Sequence, residues 1–199
     1  MRKPLSRFDE ARTFITMGAS NHAKYSVREE NDYYSTDASA ITLLHKHNLL
    51  DTDQRYWETA CGGGRLSDEL IRLGYDVVSS DLFDRGYGDI GVDFFKCNDV
   101  FQGNTITNPP FKHMNNWIEH SLKITLNKAY IFGRIQTVES IGRWKIFKDN
   151  PPILICPFVK RVSCYKNDDD SVKGSPLCYA WFIWDNMDNS GVTKVKWLI

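Results

Sequence analysis

The first half of the chain alternates between apolar residues at helical spacing and short runs of β-type residues. Apolar positions that follow Ser, Thr and Asp capping candidates predict a helix over about 37–48, and an aromatic run at 55–60 predicts a first central strand. Apolar residues at helical spacing over 66–73 predict a second helix, which Gly74 ends. This order is typical of a sheet whose strands are connected by helices.

The same alternation continues to about residue 158, after which two β runs follow each other without a helix. An amphipathic helix of about 15 residues is predicted after Phe111, and another helix over 138–147. Further strands are predicted at 75–80, 92–95, 104–108, 128–133, 151–158, 177–184 and 193–199. The sequence therefore predicts an α/β fold, with a mostly parallel twisted sheet, helices on both faces and a C-terminal antiparallel strand.

The N-terminal segment 1–32 differs from this pattern because it is polar and has no clear periodicity. Its first 28 residues carry six Lys or Arg against two acidic residues. We predict a partly mobile arm, either lying on a polyanion or forming a solvated tail. A single domain over 33–199 is predicted to follow it.

Composition restricts the function without identifying it. The 199 residues are 42% hydrophobic and have a formal net charge of zero, so binding to nucleic acid would need a local basic face. Five cysteines without a Cys-x-x-Cys pair indicate neither a disulfide framework nor a zinc site. No apolar run is long enough for a membrane helix, and we predict a soluble protein of a reducing cytoplasm.

A glycine turn is the first candidate binding feature. Cys61-Gly62-Gly63-Gly64 lies between a predicted strand and a predicted helix, where glycines allow the backbone to come close to a ligand. Asp81 lies about 20 residues beyond, at the tip of the second strand, where a carboxylate can accept both hydroxyl hydrogens of a ribose diol.

The second candidate is the stiff turn Asn108-Pro109-Pro110-Phe111 at the end of the fourth strand. Prolines end the strand ladder, while the amide oxygen of Asn108 and the carbonyl of Pro109 offer two fixed acceptors. With the ring of Phe111 as a stacking surface, the turn suits a planar group that carries an exocyclic amine. The alternative is a Pro-Pro loop with Phe111 in the core.

All these features lie at predicted carboxyl ends of strands, as does the pair Asp93 and Phe94. Asp93 could bind an adenine amino group and Phe94 could cover its ring, or the two could be a turn residue and a core residue. In open α/β sheets, ligands bind beyond the carboxyl ends of the strands where strand order reverses. We therefore expect one crevice.

The ordered set of Glu58-Thr59-Ala60-Cys61-Gly62-Gly63-Gly64, Asp81 and Asn108-Pro109-Pro110-Phe111 resembles the class I S-adenosylmethionine-dependent methyltransferases that act on amino groups. More closely, the chain resembles small DNA adenine-N6 methyltransferases of bacteria and phages. The likeness extends to 18–22, 32–37, 81–88 and 180–184.

This resemblance implies a single Rossmann-like class I methyltransferase domain without a separate target-recognition domain. It implies S-adenosylmethionine as cofactor, duplex DNA with a flipped adenine as partner, no metal, and a bacterial or phage-infected cell as setting. The base would be held by Asn108, Pro109, Pro110 and Phe111. The cofactor would be bound by Tyr34, Thr36, Glu58, Ala60, Cys61, Gly62, Gly64, Asp81, Leu82, Asp93 and Phe94.

Three alternatives remain at this stage. The methylated amine could be cytosine N4, an RNA base or a protein glutamine, and the fold could serve as a binding module without catalysis. A nicotinamide oxidoreductase would also use a glycine turn and a downstream Asp, but Ser67 occupies the last glycine position of that fingerprint. For target recognition the sequence leaves the arm and the segments 136–148 and 166–175.

Overall fold

The computed structural model describes residues 33–166, 177–188 and 190–199. The predicted arm over 1–32 and nearly all of the acidic loop over 166–175 therefore lie outside the described residues. The helices are α1 (Ser39–Lys46), α2 (Arg65–Arg72), α3 (Met114–Ile124) and α4 (Ile141–Asp149). The strands are β1 (Tyr34–Thr36), β2 (Tyr56–Glu58), β3 (Val77–Asp81), β4 (Asp89–Ile90), β5 (Asn104–Thr107), β6 (Lys128–Arg134), β7 (Leu154–Pro157), β8 (Cys164–Lys166), β9 (Tyr179–Asp185) and β10 (Lys194–Val195).

Eight of these strands form one sheet in the order β10-β7-β9-β6-β5-β2-β3-β4. Strand β9 runs antiparallel to both of its neighbours, and the other pairings in this sheet are parallel. Strands β1 and β8 form a separate antiparallel pair. The predicted α/β fold with a mostly parallel sheet is confirmed.

Strand order reverses at β2, which lies between β3 and β5. Trp57 in the middle of β2 pairs with Val78 on one side and Thr105 on the other. The carboxyl ends of these three parallel strands therefore share one edge of the sheet, where open α/β sheets bind ligands. The glycine turn follows the end of β2, Asn108 follows the end of β5, and Asp81 is the last residue of β3.

Two details of the sequence-based strand assignment were wrong. The third strand is Asp89–Ile90 rather than 92–95, because the Asp93 carboxylate accepts the N–H of Phe95 and starts a 3-10 turn at Phe94–Lys96. The antiparallel strand is not the C-terminal one: it is β9, which lies between β6 and β7, and the last strand, β10, pairs with β7 in parallel.

Apolar side chains alternate between the two faces of the sheet along each central strand. On β6, Tyr130 and Phe132 join one core cluster, whereas Ala129 and Ile131 join the other. Strand β9 divides in the same way, which explains why its sequence reads as continuously apolar: it is a central strand covered on both sides.

A polar network lies at the edge of the sheet where the parallel strands β5 and β6 begin, opposite the edge with the glycine turn. Lys128 pairs with the carboxylate of Asp51 at 2.7 Å, and that carboxylate also accepts from the side-chain amide of Asn104 at 3.1 Å. The buried side chain of Asn104 thereby has hydrogen-bond partners at the amino end of β5.

In the parts of the chain that the structure describes, no helix has the length and apolar character needed to cross a bilayer.

Candidate active site

The turn Cys61-Gly62-Gly63-Gly64 connects β2 to α2 in a conformation that requires glycine. Gly62 and Gly64 have φ values of +55° and +86°, which residues with a Cβ rarely adopt. The ring of Tyr33 lies directly on the turn: a Cβ placed on Gly62 would come within 2.3 Å of it. The N–H of Gly63 donates to the Tyr33 hydroxyl at 2.8 Å.

A second tyrosine covers the other half of the turn. A Cβ on Gly64 would lie 2.4 Å from the ring of Tyr87, whose hydroxyl donates to Asp68 at 2.8 Å. The guanidinium of Arg85 stands 3.8 Å from the centre of the Tyr33 ring, a cation–π contact. Tyr33, Arg85 and Tyr87 were not predicted, because their sequence neighbourhood gives no sign that they meet the glycines.

Glu58 at the end of β2 lies buried beneath this turn. Its carboxylate accepts the hydroxyl of Ser67 on α2, and that hydroxyl also lies 2.6 Å from the hydroxyl of Ser79. Burial raises the pKa of Glu58 to about 8, despite the hydrogen bond from Ser67. The hydrogen bond from Ser67 joins the end of β2 to the first turn of α2.

Asp81 connects the second strand end to the glycine turn. One carboxylate oxygen accepts the N–H of Gly62 at 2.9 Å and the other accepts the N–H of Phe83 at 2.9 Å. Each oxygen retains acceptor capacity, so these backbone bonds orient the carboxylate without exhausting it. The next side chain, Leu82, is 49% exposed and offers an apolar surface beside the carboxylate.

Asp93 and Phe94 lie where a 3-10 turn leaves the sheet edge. Asp93 forms an ion pair with Lys96 at 3.3 Å in addition to its capping bond. Phe94 is buried, and its ring stacks on Trp117 of α3 at 4.4 Å with an interplanar angle of 7°. The ring thus packs as a core side chain, so a ligand here would meet Asp93 and the backbone. Its predicted contact with adenine stays a prediction.

Asn108 follows β5 with its side-chain amide in a defined orientation. The Nδ2 group donates to the backbone carbonyl of Tyr34 at 2.8 Å. A carbonyl is only an acceptor, so the nitrogen must point toward it and Oδ1 must point away. This Oδ1 is buried, and within the described part of the chain it has no hydrogen-bond partner. Buried acceptors without a partner are uncommon in folded proteins.

The rest of the Asn108–Phe111 turn is stiff and partly open. Pro109 is buried, and the carbonyl of Pro110 accepts the N–H of His113 at 3.0 Å as a 3-10 turn begins. The ring of Phe111 is half-buried beside Tyr179, and the exposed guanidinium of Arg134 stands 5.1 Å from the ring centre. The exposed guanidinium of Arg134 thus lies over the Phe111 ring.

Strand β1 brings the two turns into contact with one segment. Tyr33 accepts from the glycine turn and Tyr34 accepts from Asn108, so adjacent residues contact both candidate sites. Of the other residues predicted to bind the cofactor, Thr36 is buried on β1 and Ala60 is half-buried beside the glycine turn.

Among residues 33–166, 177–188 and 190–199, no group of three or more His, Cys, Asp or Glu residues could hold a metal ion.

Neither a scan of protein-family models nor a search of curated proteins finds a match to this sequence. Solved structures do share its fold. A modification subunit assigned to a type I restriction enzyme of Vibrio vulnificus YJ016 aligns with a TM-score of 0.54 and 11% identity, over 99% of this chain and 53% of that one. The chain therefore spans about half the length of that protein.

Two further structures align equally well. A dimethyladenosine transferase of Plasmodium falciparum has a TM-score of 0.53 and 11% identity, over 77% of this chain and 62% of that one. A predicted O-methyltransferase of Agrobacterium tumefaciens has a TM-score of 0.53 and 13% identity, over 81% and 84%. At such identities the likeness establishes a shared architecture: this chain has the Rossmann-like fold of these methyltransferases.

Proposed function

We propose that this protein transfers a methyl group from S-adenosylmethionine to the exocyclic N6 of adenine in DNA. The observation that carries the proposal is the amide of Asn108, fixed through Nδ2 with its buried Oδ1 left without a partner in the described structure. An unsatisfied buried polar atom costs about 1–3 kcal/mol, so a ligand N–H that reaches it is favoured. An exocyclic amine supplies such a donor.

The glycine turn and its surroundings fit the proposed cofactor. The turn needs positive φ at Gly62 and Gly64, and the lack of a Cβ there lets the rings of Tyr33 and Tyr87 pack on the turn, where they would line the cofactor site. Asp81 would accept from ribose hydroxyls and the exposed Leu82 would lie against the adenine. Tyr34, Thr36, Glu58, Ala60 and Cys61 would line the methionine end, with Asp93 and the backbone of Phe94 at the adenine end.

When bound, S-adenosylmethionine supplies an electrophilic methyl group on a sulfonium centre. The task left to the chain is to hold the amine and to raise its nucleophilicity. If Asn108 Oδ1 and the Pro109 carbonyl each accept one N–H, the nitrogen is drawn toward tetrahedral geometry and its lone pair is localised. The stiff Pro109-Pro110 backbone keeps both acceptors aligned, and alignment is a large part of the rate enhancement.

A base inside a duplex cannot reach these acceptors, so we propose that the target adenine is flipped out of the helix. The half-buried ring of Phe111 would replace the stacking that the base loses. Arg134, which stands over that ring, would move aside toward a backbone phosphate. The restriction-modification subunit and the dimethyladenosine transferase among the structural neighbours support a nucleic-acid substrate.

The test is methyl transfer from labelled S-adenosylmethionine to mixed-sequence DNA by the wild type and by Asn108→Ala, with calorimetry of cofactor binding. We expect the variant to lose at least about a hundredfold in rate, as when one catalytic hydrogen-bonding group is removed. Its cofactor affinity should persist. Asn116→Ala on α3, which changes an exposed Asn eight residues away, is the matched control and should retain wild-type activity.

Mass spectrometry of digested nucleosides and of peptides identifies the product. N6-methyl-2′-deoxyadenosine from DNA supports the proposal, whereas methylated cytosine, methylated RNA or methyl glutamine would replace the substrate while keeping the role of Asn108. Cofactor binding without turnover on any of these substrates would identify a binding protein. Wild-type activity in Asn108→Ala would overturn the proposed chemistry.

A further inference from the structure

Helix α4 carries an unusual outward stripe. Ile141, Trp144, Lys145 and Lys148 occupy positions i, i+3, i+4 and i+7, which lie along one side of a helix. Ile141 is 80% exposed and Trp144 is 58% exposed, and both lysines are exposed. The ammonium of Lys148 lies 5.3 Å from the centre of the Trp144 ring. We call these four residues the α4 stripe.

The core does not use this stripe. Helix α4 packs through its other side, where Ile146 is buried and Phe147 lies against Phe182 and Trp184 with ring-centre distances of 6.0 and 5.7 Å. An amphipathic helix normally shows polar residues on the side away from the core. Two large apolar side chains among cations on that side are characteristic of an interaction surface.

The α4 stripe is held beside the candidate active site. Arg143 donates to the side chain of Asn115 at 3.2 Å, and Asn115 lies in the first turn of α3, directly after the turn that ends at Phe111. Arg143 also donates to the carbonyl of Gln136 at 3.1 Å. These bonds fix the start of α4 against the segment that leads from Asn108.

Charge favours a polyanion as the occupant. Between residues 134 and 148 the chain has four cations, Arg134, Arg143, Lys145 and Lys148, against one carboxylate, Glu139. Asp149 follows at the end of the helix, at the edge of the stripe. Because the whole chain has no net charge, this excess is local. Lys112 and His113, in the 3-10 turn before α3, are also exposed.

We infer that the α4 stripe is a docking surface for duplex DNA next to the flipped nucleotide. Lys145 and Lys148 would bind phosphates, while Trp144 and Ile141 would contact base or sugar edges, since aromatic and apolar side chains pack between bases at deformed steps. The class of ligand rests on the proposed function. The position of the surface rests on the helix itself.

Fluorescence anisotropy with a labelled mixed-sequence duplex measures the affinity directly. We expect Trp144→Ala and the double variant Lys145→Gln/Lys148→Gln each to weaken binding about tenfold. Trp144→Phe should recover a large part of the loss, because it keeps an aromatic surface. The loss in the lysine variant should shrink as salt is raised, since phosphate contacts are salt-dependent.

The chain offers matched controls. Trp197 is 59% exposed after β10, the outermost strand of the sheet, and Lys123 and Lys160 are exposed residues outside α4. Trp197→Ala and Lys123→Gln/Lys160→Gln should bind DNA within about twofold of the wild type. Equal losses in controls and α4 variants, or wild-type binding by Trp144→Ala with an unchanged melting temperature, would overturn the inference.

The same assay separates this inference from the proposed function and from other occupants. If Trp144→Ala loses DNA binding while Asn108→Ala keeps full methyl transfer, the α4 stripe is supported as a DNA-binding surface and the proposed catalytic role of Asn108 is wrong. If Trp144→Ala binds DNA normally while Asn108→Ala loses methyl transfer, only the inference about the α4 stripe is wrong. Binding of wild type to vesicles of phosphatidylcholine and phosphatidylglycerol but not to duplex DNA would overturn it. A dimer that Trp144→Ala dissociates, with DNA affinity unaffected, would also overturn it.

Discussion

The side-chain amide of Asn108 donates to the backbone carbonyl of Tyr34 at 2.8 Å, across 74 residues of sequence. The neighbouring Tyr33 accepts from Gly63 at the same distance, so two consecutive residues link the glycine turn to the Asn108–Phe111 turn. The orientation of the proposed catalytic oxygen thus depends on Tyr34, and the residue before it covers the proposed cofactor turn. A substitution in either turn should therefore also alter the geometry of the other turn.

Gly62→Ala tests the close approach of Tyr33 to the glycine turn. Positive φ alone costs a residue with a Cβ about 1–2 kcal/mol, and the overlap with the Tyr33 ring adds about 1–3 kcal/mol. We expect a loss of stability of several kcal/mol in urea unfolding, together with weakened binding of S-adenosylmethionine by calorimetry.

Gly191→Ala is the control, because Gly191 has a similar φ of +66° but a Cβ there would meet no atom of the described residues within 4 Å. It should show the backbone cost alone and leave cofactor affinity intact. If both variants lose the same stability and Gly62→Ala binds the cofactor normally, the contact with Tyr33 has no role in forming the site.

The raised pKa of Glu58 predicts a specific pH dependence of the free energy of unfolding. Its pKa is about 8 in the folded protein, above the ordinary 4.5, because burial disfavours the charged form. The folded state therefore binds the proton more tightly than the unfolded state does. The stabilisation is fully present below about pH 4.5 and is lost as pH rises toward about 8.

Comparison with Glu58→Gln isolates this effect, because Gln resembles the protonated carboxyl and does not titrate. The free energy of unfolding of the wild type, relative to the variant, should fall with rising pH at up to about 1.4 kcal/mol per pH unit inside that window. Urea titrations at a series of pH values measure it. A difference that stays constant from pH 5 to 8 would mean that Glu58 is ionised throughout.

The two turns could be predicted from the sequence because their backbone chemistry is local. A double proline after a strand and three glycines before a helix restrict the backbone whatever surrounds them, so Asn108 and Gly62 were predicted from a few neighbouring residues. Tyr87 on Gly64 and Trp117 on Phe94 are contacts between residues 23 apart in sequence, and periodicity carries no information about them. The position of β9 between β6 and β7 likewise depends on packing of both sheet faces rather than on its own pattern.

Phe94→Leu tests whether the Phe94 ring serves the core or the cofactor. The ring stacks on Trp117 at 4.4 Å and lies edge-on to Trp57, so a smaller apolar side chain leaves a gap. We expect a loss of stability of about 1–3 kcal/mol, with affinity for S-adenosylmethionine within about threefold of the wild type. Calorimetry that instead finds a large loss of affinity at little cost in stability would restore the predicted contact with adenine.

Arg134 should act at the mouth of the Asn108–Phe111 turn. Its exposed guanidinium lies 5.1 Å from the centre of the Phe111 ring, so an incoming base must share or displace that position. Once displaced, a guanidinium beside the flipped nucleotide suits a phosphate, which it can bind through two N–H groups. Arg134→Gln should weaken binding to duplex DNA and raise KM, with a smaller effect on kcat.

Salt dependence identifies the kind of contact that Arg134 makes. Losing one phosphate contact lowers the slope of log K against log salt by about 1. Arg55→Gln is the control: Arg55 pairs with Asp76 at 3.2 Å near the amino ends of β2 and β3, away from the turn, and its loss should leave the slope unchanged. If Arg134→Gln binds DNA more tightly with an unaltered slope, Arg134 acts as a cover on Phe111 and not as a phosphate ligand.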